Sequence, residues 1–454
     1  MTQHILRVGV VTGLLLACWG VAGADDLPST CPAISAVAVS DDNLAALARG
    51  NQEFGLRLYG QLAEKKGNLF FSPYSISTAM SMVYLGAAGQ TADEMAAGLC
   101  IPSRPDAAGV AKPWSMQDLA DAYKNLQGRF LAASAASKPA ADTPGDEWAF
   151  QLHVANALWP AKGVGLKSEY ISLIGDYFGG KAQDLDYGNA EAARQVINGW
   201  VEQQTQQKIK DLIGPKVLNG GTMLVLTNAV YFKAGWLTPF TPEETKKETF
   251  HAEGKDVQAD LMAQTKEFRY AEVKVAEREF QALELPYRGR ECAMLILLPK
   301  QAQDLEAVEQ AMRQSPGGTH AAIDVDAIEK SLGSVRAHVK LPRFKVTSQF
   351  DLADQLKAMG IKSAFAGADF SGMFENARGV SISNVVHKAF VDVREQGTEA
   401  AAATAVHMLG MSRQTAEPKE FIADRPFLFF IRDNASGTIL FMGRLANPSA
   451  EQTE

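Results

Sequence analysis

After Trp148, helical and strand-like patterns follow one another irregularly to the C-terminus, with no break in composition. No repeating strand–helix–strand rhythm and no internal repeat is visible, which argues against a doubly wound parallel sheet or a solenoid. What remains is a single α+β domain of about 400 residues. With 46% apolar and 21% charged residues, the chain has the ordinary balance of a globular protein.

Leu44, Leu47, Ala48, Phe54, Leu58 and Leu62 recur at three-to-four spacing, which predicts a helix starting at Asp41. Asn68-Leu69-Phe70-Phe71 reads as a short strand. Ser72-Pro73 then opens a helix, with serine as cap and proline in the first turn. That helix, Tyr74 to Leu85, is apolar on nearly every face, the pattern of a buried helix. Thr91-Ala92-Asp93-Glu94 has capping-box spacing and predicts the start of the next one. Between Pro102 and Trp148, an amphipathic helix from Ser115 to Leu131 sits beside Ala/Pro/Ser-rich pieces (Ser134 to Gly145), which predict surface insertions. Further on, Asn189–Lys208 reads as a helix and Met223–Phe232 and Ala293–Leu298 as buried strands. The alternating stretch Arg336–Val346 predicts a half-buried strand.

The first residues read as an address. His4 and Arg7 precede an apolar run from Val8 to Trp19, and Ala22-Gly23-Ala24 offers a small-x-small cleavage site. Residues 1–24 are therefore expected to be a signal peptide that exports the chain to a periplasmic or extracellular location. The run is shorter than the roughly 20 residues of a membrane span. Leu15-Leu16-Ala17-Cys18 resembles a bacterial lipobox, so lipid anchoring through Cys18 is the alternative to soluble export. Residues 25–40, small, polar and Pro-containing, are expected to form a flexible tether. Cleavage after Ala24 leaves Cys31, Cys100 and Cys292, an odd set that cannot be fully paired within one chain. A Cys31–Cys100 bridge stays open; a disulfide scaffold does not.

With 44 Lys+Arg against 52 Asp+Glu the formal charge is −8, and no basic stripe is present. That argues against a nucleic-acid partner, whose phosphates call for a clustered basic surface. The Ser115–Leu131 helix is not basic either, so no glycosaminoglycan site is evident. Gly-x-Ser-x-Gly, His-Glu-x-x-His, Cys-x-x-Cys and Walker-type motifs are all missing, and the seven histidines are scattered. The reading is of a non-enzyme without cofactor or metal; a triad assembled only by folding is the competing case.

One stretch stands apart. Gly397-Thr398-Glu399-Ala400-Ala401-Ala402-Ala403-Thr404-Ala405-Val406 follows a strand-like segment, Ala389 to Val393. By propensity the alanines suit a helix. Read as a strand, one face is Thr398, Ala400, Ala402, Thr404, Val406 and Met408, small at first and bulkier toward the end. A segment with a uniformly small face can slide between existing strands without clashing.

Five segments, in order, carry a resemblance. They are Asn68 to Ser77 (NLFFSPYSIS), Leu226 to Trp236 (LTNAVYFKAGW), His387-Lys388-Ala389, Asp424 to Phe429 (DRPFLF) and Phe441 to Leu445 (FMGRL). Together they resemble the serpins, serine protease inhibitors, and the likeness spans nearly the whole chain beyond the tether; the type implied is inhibitory and bacterial. The resemblance implies an α+β serpin fold over 41–448, with a large, mostly antiparallel central sheet, further sheets, about nine helices and an exposed reactive-centre loop at about 397–420. Ser75, Asn228 and His387 match the family's polar cluster under the point where the central sheet parts, and Trp236 its tryptophan beneath the loop's insertion point. The stretch from Glu395 to Thr404 matches the hinge of inhibitory members, with Gly397, Thr398, Glu399, Ala400, Ala401, Ala402, Ala403 and Thr404 as its insertable residues. Family spacing places the scissile bond at Met411–Ser412, with Arg413 as the alternative bait. The implied activity is a suicide trap acting as a monomer on an elastase- or chymotrypsin-like serine protease, or on a cysteine protease. A non-inhibitory binding or chaperone-like protein on the same fold is the alternative.

Overall fold

The structure is a computed structural model that describes residues 41–136, 150–314, 323–398 and 417–450. Residues 336–346, expected to form one strand, form parts of two, and the break between them divides the molecule's two main sheets. Pro342 has no N–H for a ladder, and the Arg343 N–H turns aside to the Asp260 carbonyl at 2.8 Å.

Upstream of the break, Gly333–Pro342 (β11) belongs to a nine-stranded sheet. From one edge it runs Leu69–Phe71 (β1), Ile439–Leu445 (β17), Phe427–Asp433 (β16) and Cys292–Pro299 (β10). Arg278–Pro286 (β9), Lys255–Val275 (β8), β11 and Lys419–Ile422 (β15) complete the order, and Lys246–Ala252 (β7) also pairs with β8. Downstream of the break, Phe344–Asp351 (β12) edges a six-stranded sheet. Its order continues through Ile382–Arg394 (β13), Gly397–Thr398 (β14), Leu224–Gly235 (β6), Gln151–Pro160 (β4) and Lys181–Ala182 (β5). Most pairs in both sheets are antiparallel; β6 and β13 are parallel neighbours below the short β14. A separate hairpin, Ser103–Pro105 (β2) with Ala111–Pro113 (β3), is exposed throughout.

Nine α-helices lie among the described residues: Asp41–Leu62 (α1), Pro73–Tyr84 (α2), Gly89–Gly98 (α3), Met116–Ala136 (α4), Ser168–Phe178 (α5), Ala190–Gln204 (α6), Asp304–Gln314 (α7), Val325–Ser331 (α8) and Ala353–Ala358 (α9). Helix α2 follows from its sequence: the Ser72 hydroxyl accepts the Ser75 N–H at 3.1 Å, Pro73 sits in the first turn, and every residue is buried. Helix α4 runs past Leu131 to Ala136 and buries Leu119, Tyr123, Leu126 and Phe130. Helix α6 starts at its Asn189 cap but stops at Gln204, short of Lys208, because Gln206 and Gln207 take φ of 52° and 62°.

The capping box expected at Thr91–Glu94 does not form. Helix α3 begins earlier, at Gly89, and its Ala88 cap offers no side-chain acceptor. The Thr91 hydroxyl instead accepts the Asp369 N–H at 3.0 Å. Glu94 takes the Ser363 N–H at 2.6 Å, the Gln90 amide and the Ser363 hydroxyl at 2.8 Å each and the Lys362 N–H at 2.8 Å, and these hydrogen bonds hold its carboxyl down at about 2.

Strand alternation gives β6 two working faces. On one, Val225 and Ala229 join Trp159 and Val386 under Ala193, Ile197 and Val201 of α6. On the other, Leu226, Val230 and Phe232 enter the main core between the sheets, where α2 packs against β4 and β6. The residue between Leu226 and Val230 on that second face is Asn228, a polar group set into an apolar surface.

Candidate functional site at the parting of the smaller sheet

Strands β6 and β13 pair in parallel from Leu224/Ile382 up to Tyr231/Phe390. Above that point they separate, and β14 lies between them. Thr398 stands opposite Ala234 on one side and Val393 on the other, antiparallel to both strands. Gly397–Thr398 therefore lies in the sheet as a short added strand at the head of a parallel seam.

Within the seam, Ser75, Asn228 and His387 meet, joined by Ser72 and Asn156. His387 and Asn228 are register partners, and the ring Nδ1–H donates to Asn228 Oδ1. Its Nε2 accepts the Ser72 N–H at 3.3 Å. The Asn228 amide donates to Asn156 Oδ1 and to the Ser75 hydroxyl. Ser72 Oγ donates to the Leu440 carbonyl at 2.6 Å, so the cluster also touches β17 of the other sheet. With both ring nitrogens used and no exposure, His387 is a neutral imidazole; burial pushes its pKa down to about 3.

At the head of the seam the backbone of the loop base is tied down. Trp236 N–H donates to the Gln396 carbonyl at 2.7 Å and Phe240 N–H to the Glu395 carbonyl at 2.8 Å. The Trp236 indole Nε1–H donates to the Arg394 carbonyl at 2.9 Å. Glu395 is buried; Arg343 Nε and the Thr245 hydroxyl each donate to its carboxylate at 2.6 Å. Burial pushes that carboxyl up, but the hydrogen bonds from Arg343 and Thr245 outweigh it and leave the group below its ordinary value. Gly397 passes so close to β6 that a Cβ there would stand 2.2 Å from the Ala234 carbonyl oxygen.

The remaining candidates, Glu399, Ala400, Ala401, Ala402, Ala403, Thr404, Met411, Ser412, Arg413 and Cys18, lie outside the described residues. So do residues 1–40 and Cys31. Cys292 is buried in β10, and Arg57 donates to the Cys100 sulfur at 3.4 Å. Among the described residues, no group of His, Cys, Asp and Glu is placed to hold a metal, and no helix is long and apolar enough to cross a membrane.

Three residues of this site escaped the sequence reading. Ser72 read only as a helix cap, although its N–H also serves His387. Asn156 had a detectable signal, an amide inside the otherwise apolar run Val154 to Trp159. Arg343 also had a detectable signal: in one continuous strand its parity would place a charge on the face of Ala337, Val339 and Leu341.

The comparisons agree with this geometry. The family described as Serpin (serine protease inhibitor) matches residues 49–448. An uncharacterised serpin-like protein of Thermococcus kodakarensis is 41% identical over 426 residues, covering 93% of this chain and 91% of that one. The leukocyte elastase inhibitor of Sus scrofa is 36% identical, covering 88% of this chain and 99% of its own length. A solved insect serpin, Serpin48 of Tenebrio molitor, superposes with a TM-score of 0.72 at 30% identity, over 88% of this chain and 98% of that one. The chain belongs to the serpin family, whose members are protease inhibitors and generally not catalysts.

Proposed function

We propose that the chain is an inhibitor of serine proteases that works as a suicide substrate, with an elastase- or chymotrypsin-like enzyme as its target. The observation that carries this reading is the position of Gly397 and Thr398, already paired as a strand at the head of the β6/β13 seam. A protease serine attacks the Met411 carbonyl and forms its ordinary acyl-enzyme. Release of the Ser412 side frees the upstream segment, which continues the strand begun at Thr398. A parallel β6/β13 pair is thereby exchanged for two antiparallel ladders, which are slightly more stable per residue, and the loop's backbone groups gain partners. The small face of Thr398, Ala400, Ala402 and Thr404 suits the cramped interior it enters. The protease, still esterified, is carried along the sheet before water can free it. No residue of this chain acts as a catalyst. We place the working site outside the cytoplasm, after removal of residues 1–24 or with anchoring through Cys18.

Incubation with a panel of serine and cysteine proteases tests the reading. A denaturant-stable complex is expected, with a released peptide beginning at Ser412; a peptide beginning at Gln414 moves the bait to Arg413. Thr398→Arg should convert trapping into plain cleavage. Undiminished trapping by that variant, or cleavage of the wild type without any complex, contradicts the mechanism.

A further inference from the structure

The turn between β9 and β10 reaches across to the hinge. Its Tyr287 is fully buried and shares a 2.7 Å hydroxyl-to-hydroxyl hydrogen bond with Thr398, itself fully buried. The Tyr287 ring stacks on Trp236, centroids 4.5 Å apart and planes at 12°, and meets Phe232 edge-on at 5.2 Å. Its backbone is held as well: Tyr287 N–H donates to the Cys292 carbonyl at 3.0 Å, and Arg288 N–H to the Gly235 carbonyl at 2.7 Å. The phenol thus has one fixed position, and Thr398 is the partner that satisfies it. If Thr398 left the sheet, both hydroxyls would lose this bond, and Tyr287 would keep its oxygen in an aromatic box.

We propose that Tyr287 is a positioning residue: its bond to Thr398 sets how far the hinge sits in the sheet at rest, and so the balance between trapping and turnover. This rests on the inhibitory reading above. A hinge held at Thr398 has its first strand residues placed before cleavage, so insertion starts without a search. A released hinge must find the seam after acylation, while deacylation proceeds.

Hydrogen exchange of residues 394–398, measured with no protease present, reads the clamp directly. Tyr287→Phe and Thr398→Val should each speed exchange there roughly five- to tenfold, the effect of one lost buried hydrogen bond. Thr398→Ser, which keeps a hydroxyl, should stay near wild type. The double variant Tyr287→Phe/Thr398→Val should be no faster than either single one, because both remove the same bond. In the inhibition assay the two single variants should raise the inhibitor consumed per protease roughly two- to fivefold. Unchanged exchange in both single variants, or effects that simply add in the double one, overturns the clamp. Failure of the wild type to form any complex overturns the inhibitory reading instead, and the exchange comparison still decides the role of Tyr287.

Discussion

His387 and Asn228 face each other across the parallel pair β6/β13, bonded through their side chains at the level where their backbones are in register. A strand driven down this seam must pass between them. The pair is a core contact of the protein, and under the proposed insertion it is also a latch on the path of the loop. Ser72, Ser75 and Asn156 fasten it to α2 and β4.

Removing one member leaves the others buried and short of partners. Asn228→Ala deprives His387 Nδ1–H of its acceptor and the Ser75 hydroxyl and Asn156 of a donor. A loss of about 2–4 kcal/mol of unfolding free energy is expected, read from chemical denaturation. A change within about 0.5 kcal/mol, ordinary for a surface site, refutes the latch.

Acid should weaken the resting state. Folded His387 stays neutral down to about pH 3, while in the unfolded chain it takes a proton near its ordinary value of 6.5. Its contribution is thus complete above about 6.5 and is lost as the pH falls toward 3, reaching a few kcal/mol at the lower end. Denaturation midpoints between pH 7.5 and 4 should fall more steeply for wild type than for His387→Asn. Parallel curves for the two proteins would contradict this assignment.

Gly397 tests the close approach at the head of the seam. In Gly397→Val the new Cβ would meet the Ala234 carbonyl oxygen at 2.2 Å and Gly235 Cα at 2.6 Å, both backbone atoms. The hinge should be displaced, the fold otherwise kept, and most encounters with protease should end in cleavage. Trapping at the wild-type ratio would show that β14 is dispensable.

A second buried cluster, far from the hinge in sequence, predicts stability alone. Arg444 donates to both oxygens of Glu309 at 2.7 and 2.8 Å, and to the carbonyls of Lys65 and Gly67; all but a few per cent of both side chains is buried. Tyr59 adds a 2.5 Å bond to the same carboxylate. Arg444→Met should cost about 3–5 kcal/mol by leaving a buried charge alone. Arg444→Met/Glu309→Gln should recover part of that loss in a thermal melt; a double variant no better than the single one refutes the ion-pair account.

Several features were legible residue by residue. The apolar faces of 41–62 and 73–84, the Ser72-Pro73 start, the buried runs at 224–232 and 293–298 and the small-residue hinge are local properties, set by periodicity, capping and side-chain size. Arg336–Val346 misled because each half alternates like a strand, although the phase slips at the join, from Ala337, Val339 and Leu341 to Phe344 and Val346; Pro342 and the pull of Asp260 on Arg343 made the break.

The sequence by itself determined the α+β class, the buried second helix and a loop base small enough to enter a sheet, because these depend on neighbours a few positions apart. Tertiary structure decided which polar groups answer one another. Glu94 reached beyond its own helix to the amides of Lys362 and Ser363, Asn228 found His387 across 159 positions, and Tyr287 found Thr398 across 111. Buried polar groups must be paired somewhere, and only the register of distant strands and the packing of helices determine where.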